Sequence, residues 1–154
     1  MILPVTEENL SAAAVVHAIS WQEAHRAFCS PAFVAAHTPQ RQQEFLRQQR
    51  QKGCVLWLLY DPEPVGLVSV SGNLIEHLYV LPEKQRCGYG TQLLQFAVDQ
   101  CRGTPTLWVL SNNTAFDFYC KFGFVPTGTE KPLSDTLSER ELIYLPQEEN
   151  HVFS

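Results

Sequence analysis

Residues 81–94, LPEKQRCGYGTQLL, combine a proline, a short polar run and two glycines, Gly88 and Gly90, directly before an apolar segment of helical period. The apolar run at 78–81 that precedes them has the composition of a buried strand. A strand that passes through such a loop into a helix presents unpaired backbone N–H groups, to which the helix dipole adds positive charge. Glycine also lets a phosphate approach the backbone closely. We therefore predict an anion-binding site at residues 85–91.

Three kinds of phosphate-binding loop compete for this pattern. A Walker A loop requires Gly-Lys-Ser/Thr, whereas this chain has Gly90-Thr91-Gln92. A dinucleotide-binding fingerprint requires a third small residue where Leu93 stands, and an acidic residue about 20 positions later, where the chain has residues 108–110, WVL. The remaining kind is an acyl-CoA site, and a glycine turn that merely starts a helix fits the short pattern equally well.

A second block of residues favours the acyl-CoA interpretation. Residues 85–90, Q-x-x-G-x-G, resemble the pyrophosphate loop of the GNAT superfamily of acyl-CoA N-acyltransferases, and residues 112–124, N-x-x-A-x-x-F-Y-x-x-x-G-F, resemble the next block of that superfamily. The strand entry at 78–82, the helix that carries Trp21, and the segment Ser30-Pro31-x-Phe33 are similar to small bacterial members. The resemblance covers nearly the whole chain and is most specific over residues 74–124.

Hydrophobic periodicity predicts an α/β fold with the element order β-α-α-β-β-β-α-β-α-β-β. Thr6 and Thr38 are the expected N-caps of the first two helices, and Asn112 that of the last. The resemblance implies a GNAT-like central mixed sheet of about six to seven strands flanked by about four helices. We expect one domain at 1–146 and a polar C-terminal tail at 147–154. The predicted strands span 2–5, 54–60, 65–71, 74–81, 105–110, 124–129 and 139–145, and the predicted helices span 6–28, 38–53, 91–102 and 112–122.

Composition excludes several functional classes. The formal net charge of −5 argues against a nucleic-acid partner, which would require a basic face. The longest apolar run, residues 55–60, is too short to span a bilayer, and the N-terminus MILPVTEENL lacks the pattern of a signal peptide. We expect a cytoplasmic monomer or homodimer without membrane contact. The five cysteines show no metal-binding spacing, so we expect reduced thiols and no metal.

The resemblance implies acetyl-CoA as the acyl donor. Loop N–H groups are expected to bind its pyrophosphate, Gln85 to anchor the loop, and main-chain groups of the strand at 74–81 to pair with the pantetheine arm. Asn112 and Tyr119 are expected to approach that arm from the other side. The expected donor-binding residues are Leu78, Tyr79, Val80, Gln85, Arg86, Cys87, Gly88, Tyr89, Gly90, Thr91, Asn112 and Tyr119.

Transfer of an acetyl group to an amine requires loss of an amine proton, because a primary amine with a pKa near 10 is mostly protonated at pH 7. The resemblance implies that the Val80 N–H polarises the thioester carbonyl and that Tyr119 is the general acid, although a core aromatic is the alternative for Tyr119. Glu76 is the favoured general base, acting through water, and His77 is the second candidate. In a regular strand these two side chains face opposite sides of the sheet unless a bulge intervenes.

The acceptor is expected to be a primary amine of a small molecule or a peptide. Candidate acceptor-binding residues are Trp21, His25, Phe28, Phe33 and His77, although aromatic residues at helical spacing are also typical of a core. Residues 106–110 lack the carboxylate that some protein N-terminal acetylating members carry on this strand, which weakens the case for that substrate class. A catalytically silent acyl-CoA-binding sensor is the alternative function.

Overall fold

The computed structural model describes residues 1–146, so the predicted polar tail lies outside the described residues. The chain forms two compact units, the first spanning Met1–Cys101 and the second beginning at Arg102. That both belong to one domain stays a prediction. The first unit contains β1 (Ile2–Pro4), α1 (Leu10–His25), α2 (Pro31–Ala35), α3 (Pro39–Gln51), β2 (Val55–Tyr60), β3 (Pro64–Ser71), β4 (Leu74–Val80), a 3₁₀ turn (Pro82–Lys84) and α4 (Tyr89–Gln100), and the second contains β5 (Thr106–Leu110), α5 (Ala115–Phe122), β6 (Phe124–Pro132) and β7 (Ser138–Tyr144).

In the first unit, β1, β2, β3 and β4 form an antiparallel meander in which each strand pairs with the next. Alternate residues of each strand face opposite sides of this sheet. Leu56, Leu58 and Leu67 belong to a buried cluster with residues of α1 and α3. On the other face, Trp57 contacts Phe96 of α4 in a T-shaped arrangement with ring centroids 5.2 Å apart. The two N-terminal long helices thus cover one face and α4 the other.

Hydroxyl caps explain where the N-terminal helices begin. Thr38 accepts a hydrogen bond from the Arg41 N–H, with Pro39 at the first helical position, as predicted. Ser30 and Pro31 repeat that arrangement at α2, a short helix that is absent from the predicted elements. The prediction for Thr6 is wrong, because α1 begins at Leu10 after a hydrogen-bonded turn in which the Thr6 N–H donates to the Asn9 side chain at 2.7 Å.

In the second unit, β7 pairs antiparallel with both β5 and β6. Gly123 ends α5 in a left-handed conformation, with φ of +131°. Asn112 is not the N-cap of that helix, contrary to prediction. The helix begins after Thr114, and the side chain of Asn113 accepts a hydrogen bond from the Ala115 N–H at 2.8 Å.

Every predicted strand and helix is present in residues 1–146, with α2 and the 3₁₀ turn as additions. In the same residues, no helix has the length and apolar content required to cross a bilayer.

Candidate active site

The last residue of β4, Val80, directs its backbone N–H away from β3. Val80 lies opposite Gly66, and the neighbouring Leu81 N–H donates to the Val65 carbonyl of the β3 side at 2.9 Å. Since consecutive N–H groups of a strand point to opposite edges, the Val80 N–H points to the edge remote from β3. The carbonyl of Val80 points the same way, and the Gln85 side-chain amide donates to it at 3.3 Å. Gln85 therefore ties the start of the loop to the end of β4.

The loop after β4 presents a row of backbone N–H groups. The first hydrogen bond within α4 runs from the Gln92 N–H to the Gly88 carbonyl, at 3.1 Å. The N–H groups of Tyr89, Gly90 and Thr91 precede that bond and have no partner within the helix. No side chain caps this helix at Gly88. These N–H groups, at the positive end of the helix dipole, are suited to an anion.

The two glycines of the loop differ in whether their backbone conformation requires glycine. Gly88 has φ of +88°, a left-handed conformation that favours glycine, and a Cβ added there would meet no atom within 4 Å. Gly90 lies inside the first turn of α4 and is absent from the positive-φ residues, so its backbone conformation does not require glycine. Glycine in a helix costs free energy relative to alanine, and close approach of a ligand is the usual compensation. The loop therefore fits a phosphate group held against the backbone.

Several other loop residues are exposed to solvent, and one side-chain hydrogen bond holds the start of α4 in place. Arg86 is a non-glycine residue at φ of +66°, and Arg86, Cys87 and Thr91 are exposed. The Tyr89 hydroxyl donates to the Asp61 carboxylate at 2.6 Å, which holds the start of α4 against the turn between β2 and β3. This hydrogen bond raises the pKa of Tyr89.

A β-bulge in β4 changes the face of the sheet on which the candidate bases, Glu76 and His77, lie. Glu76 pairs with Ser69 and Tyr79 pairs with Leu67, so two residues of β4 stand opposite one residue of β3. Ser69 and Leu67 are two residues apart in β3 and share one face of the sheet. Glu76, opposite Ser69, therefore lies on the face of Leu67, which α1 and α3 cover. The His77 ring contacts Phe45 of α3, with centroids 5.4 Å apart, and so reaches the same side. The bulge removes the alternation, so Glu76 and His77 do not lie on opposite faces, and the stated exception to the regular-strand expectation applies.

The surroundings of Glu76 are polar. The Ser69 hydroxyl donates to the Glu76 backbone carbonyl at 3.0 Å. Burial first, and the negative charge of Glu76 in addition, raise the pKa of the Cys54 thiol, while a hydrogen bond with Ser69 lowers it. Glu76 itself is half-buried. A carboxylate in this position is able to accept a proton on the face of the sheet that the N-terminal helices cover.

A buried histidine, His17 of α1, was not among the predicted site residues. Its ring lies edge-on to His77 and to Tyr79, at centroid distances of 5.6 and 5.1 Å, and its Nδ1 lies 2.8 Å from the side-chain nitrogen of Gln42. Burial lowers the pKa of His17 to about 3 and that of His77 to about 4, and it raises the pKa of Tyr79 to about 12. Within residues 1–146, the Nε2 atoms of both histidines are buried without a hydrogen-bond partner.

The predicted acceptor-binding aromatics form a cluster at the end of α1. The Trp21 indole is stacked between the rings of His25 and His37, at centroid distances of 3.9 and 3.6 Å. Phe33 and Phe28 flank the stack and are 50% and 39% exposed. Burial lowers the pKa of His25 although its Nδ1 is hydrogen-bonded to the Trp21 carbonyl. The structure thus brings Trp21, His25, Phe28 and Phe33 together, whereas His77 belongs to the His17 cluster.

Asn112 and Tyr119 lie in the second unit. Asn112 is exposed in the turn before α5, and Tyr119 is half-buried in α5 with its ring 6.1 Å from that of Phe124. An open hollow of about 230 Å³ lies beside the start of α5, and its lining residues are Leu110, Ser111, Asn113, Thr114, Phe116, Asp117 and Arg140. Across residues 1–146, no three His, Cys, Asp or Glu side chains are grouped in a way that would hold a metal ion.

Comparisons with known proteins agree with this geometry. The chain is 32% identical over 75 residues to the peptidyl-lysine N-acetyltransferase YjaB of Escherichia coli, a match that covers 47% of this chain and 51% of YjaB. The chain thus spans about half the length of the curated relatives it matches.

Solved structures match over a much longer part of the chain. A GCN5-related N-acetyltransferase from Rhodopseudomonas palustris is 21% identical, covers 94% of both chains and has a TM-score of 0.73. The PaiA N-acetyltransferase from Thermoplasma acidophilum, solved with coenzyme A, is 19% identical, covers 94% of this chain and 98% of its own, and has a TM-score of 0.68. These likenesses confirm the predicted GNAT-like fold. The family model described as an acetyltransferase (GNAT) domain matches residues 14–133, and the chain therefore belongs to the GNAT family of N-acetyltransferases.

Proposed function

We propose that this protein is an acetyl-CoA-dependent N-acetyltransferase that moves an acetyl group to a primary amine by direct attack. The observation that supports the proposal is the direction and availability of backbone N–H groups at the end of β4 and the start of α4. The Val80 N–H points away from β3, and the N–H groups of Tyr89, Gly90 and Thr91 precede the first hydrogen bond of α4. The Val80 N–H suits a thioester carbonyl, and the N–H groups at the start of α4 suit a pyrophosphate.

In this proposal the chain positions the donor through its backbone. The N–H groups of residues 86–91 bind the pyrophosphate, and Gln85 holds the loop by its bond to the Val80 carbonyl. Main-chain groups of Leu78, Tyr79 and Val80 pair with the pantetheine arm. Asn112 contributes a further polar contact to that arm. The acyl donor supplies an activated carbonyl and a thiolate leaving group.

The proposed chemistry uses two side chains and one backbone group. Glu76 accepts one proton of the ammonium group through water, so that the neutral amine forms the new C–N bond; the second nitrogen proton, lost as the amide forms, returns through water to Tyr119 after that residue has protonated the thiolate. The Val80 N–H stabilises the negative charge that develops on the thioester oxygen. As the C–S bond breaks, the Tyr119 hydroxyl gives its proton to the departing thiolate. His77 is the second candidate for the base; burial lowers its pKa to about 4, which keeps it neutral at pH 7 but makes it a weak proton acceptor.

The acceptor is proposed to be a cationic amine, and a peptide lysine is the first to test. YjaB is a peptidyl-lysine N-acetyltransferase, and the formal net charge of −5 on this chain attracts a positively charged acceptor. Trp21, His25, Phe28 and Phe33 are proposed to contribute to the acceptor side. A lysine side chain has the apolar stem and charged end that an aromatic surface with polar groups accommodates.

The test combines binding with turnover. The protein is mixed with acetyl-CoA and a panel of amines that includes a lysine peptide, a polyamine and an amino acid, and release of free CoA thiol is followed. Acetylated product and thiol in equal amounts are expected with at least one amine. Acetyl-CoA binding without thiol release across the panel would favour the acyl-CoA sensor instead. Absence of acetyl-CoA binding would contradict both functions.

A further inference from the structure

The bulge in β4 holds a residue in an unfavourable backbone conformation. His77 has φ of +53°, in the left-handed region that is uncommon for residues other than glycine, although asparagine, aspartate and histidine are enriched there among the non-glycine residues. Such a conformation persists only when the surrounding structure fixes it. In β4 the packing of the imidazole ring contributes to this fixing, because the bulge interrupts the ladder of hydrogen bonds to β3.

Two rings hold the imidazole of His77. His17 of α1 and Phe45 of α3 lie edge-on to it, with centroid distances of 5.6 and 5.4 Å. His17 also lies edge-on to Tyr79, the first residue that returns to regular pairing, at 5.1 Å. The His17 side chain therefore contacts both neighbours of Leu78, namely His77 within the bulge and Tyr79 directly after it.

His17 is itself held in place. It is 2% exposed, its Nδ1 lies 2.8 Å from the side-chain nitrogen of Gln42, and its ring packs against Phe45 at 5.7 Å. Gln42 is 4% exposed and belongs to α3. The position of His17 is thus fixed by both helices that cover this face of the sheet.

The bulge decides which backbone N–H of β4 is available. With the bulge, the N–H of Val80 points away from β3. Without the extra residue the register would shift by one, so that Tyr79 would direct its N–H outward and Val80 would bond to β3. We propose that His17 is a positioning residue of the donor site, because its packing against His77 and Tyr79 holds the bulge that directs the Val80 N–H away from β3. This inference rests on the proposed function, in which that N–H binds the thioester carbonyl.

Three variants test the role of His17. H17L removes the ring but keeps an apolar side chain of similar size. The double variant H17F/Q42L keeps an aromatic edge against β4 and removes both partners of the buried polar contact, a replacement that is often nearly neutral for stability. V16A is the matched control, because Val16 is a buried α1 residue, 3% exposed, with no ring to pack on β4.

H17L is expected to lower kcat at least tenfold. Complete loss of one oxyanion donor lowers kcat by about 10²- to 10³-fold, and a Val80 N–H that points in the wrong direction is expected to cause part of that loss. Its Kd for acetyl-CoA is expected to rise by a smaller factor than kcat falls, because the loop at 85–91 is unaltered and only the pairing of residues 78–80 with the pantetheine arm is disturbed. H17F/Q42L and V16A are expected to keep most of kcat. In amide NMR spectra, the resonances of residues 77–81 are expected to shift in H17L and to stay in place in V16A.

Two results would overturn the proposal. The first is a kcat for H17L no lower than that of V16A, and the second is unchanged resonances at 77–81 in H17L. An equal loss in H17L and H17F/Q42L would assign the effect to the polar atoms of His17 and would also contradict positioning by ring packing. If the wild-type protein shows no turnover, the proposed function fails, while the NMR comparison still decides whether His17 holds the bulge.

Discussion

Alanine substitutions at the two loop glycines are expected to change the stability of the ligand-free protein in opposite directions. Gly88 adopts φ of +88°, where an L side chain costs about 1–2 kcal/mol. Gly90 lies within α4, where alanine is favoured over glycine by up to about 1 kcal/mol. For a chain of this size, 1 kcal/mol corresponds to about 2–4 °C in Tm. G88A should therefore melt below the wild-type protein, and G90A at or above it.

Both substitutions are expected to weaken stabilisation by acetyl-CoA, because each adds a Cβ beside the N–H groups that are proposed to bind the pyrophosphate. Wild-type protein at a ligand concentration of 100 times Kd gains about 2.7 kcal/mol. A variant with a 100-fold weaker Kd gains only about 0.4 kcal/mol at the same concentration. G90A should thus combine unchanged or raised intrinsic stability with loss of most of the ligand-dependent gain.

Thermal melts with and without acetyl-CoA measure both quantities. G72A is the matched control, since Gly72 also has a left-handed φ, +67°, with no atom within 4 Å of an added Cβ, and lies in the hairpin between β3 and β4. It should lose ligand-free stability as G88A does and keep the full acetyl-CoA gain. A full gain in G90A would refute the assignment of the pyrophosphate to the start of α4.

Three further predictions concern the proposed chemistry and the buried histidines. Y119F should lower kcat by about 10²-fold with little change in acetyl-CoA affinity, and near wild-type kcat across pH would exclude Tyr119 as the general acid. E76Q should lose rate at pH 7 and regain it as pH approaches the pKa of the amine, whereas a raised acceptor KM without recovery at high pH would indicate that Glu76 binds the ammonium group. Because the folded-state pKa values of His17 and His77, about 3 and about 4, lie below the unfolded value, stability should be full above about pH 6.5 and fall as pH decreases towards 4, by up to about 1.4 kcal/mol per pH unit for each histidine. Denaturant titrations at pH 7 and pH 5 measure that slope, which H17L should reduce; equal slopes in the two proteins would contradict the burial of His17.

The sequence predicted the parts of the donor site that depend on local chemistry. The dipeptide Thr38-Pro39 marked the start of α3, and Gly88 marked the loop that starts α4, because caps and left-handed residues act over only a few positions. The same dipeptide logic applied to Ser30-Pro31 would have found α2. The errors at Thr6 and Asn112 are also local: a hydrogen-bonded turn between Thr6 and Asn9 delays the start of α1, and the Asn113 side chain accepts the hydrogen bond that was assigned to Asn112.

The candidate bases could not be placed from the sequence, because alternation along β4 holds only while the pairing with β3 is regular. The bulge adds one residue and brings Glu76 and His77 to one face. Leu74–Val80 contains no glycine that would predict the bulge, and a single histidine, although enriched at positive φ among non-glycine residues, is too weak a signal.

The sequence by itself determined the secondary structure, the glycine loop and the family resemblance, since these depend on periodicity and on motifs of a few residues. Only the tertiary structure revealed the role of His17, whose contacts in β4 lie about 60 positions away along the chain. Packing between α1, α3 and β4 fixes the bulge and thereby the direction of the Val80 N–H. An interaction between elements distant in sequence leaves no periodic pattern in any one of them, which is why this part of the site required the folded chain.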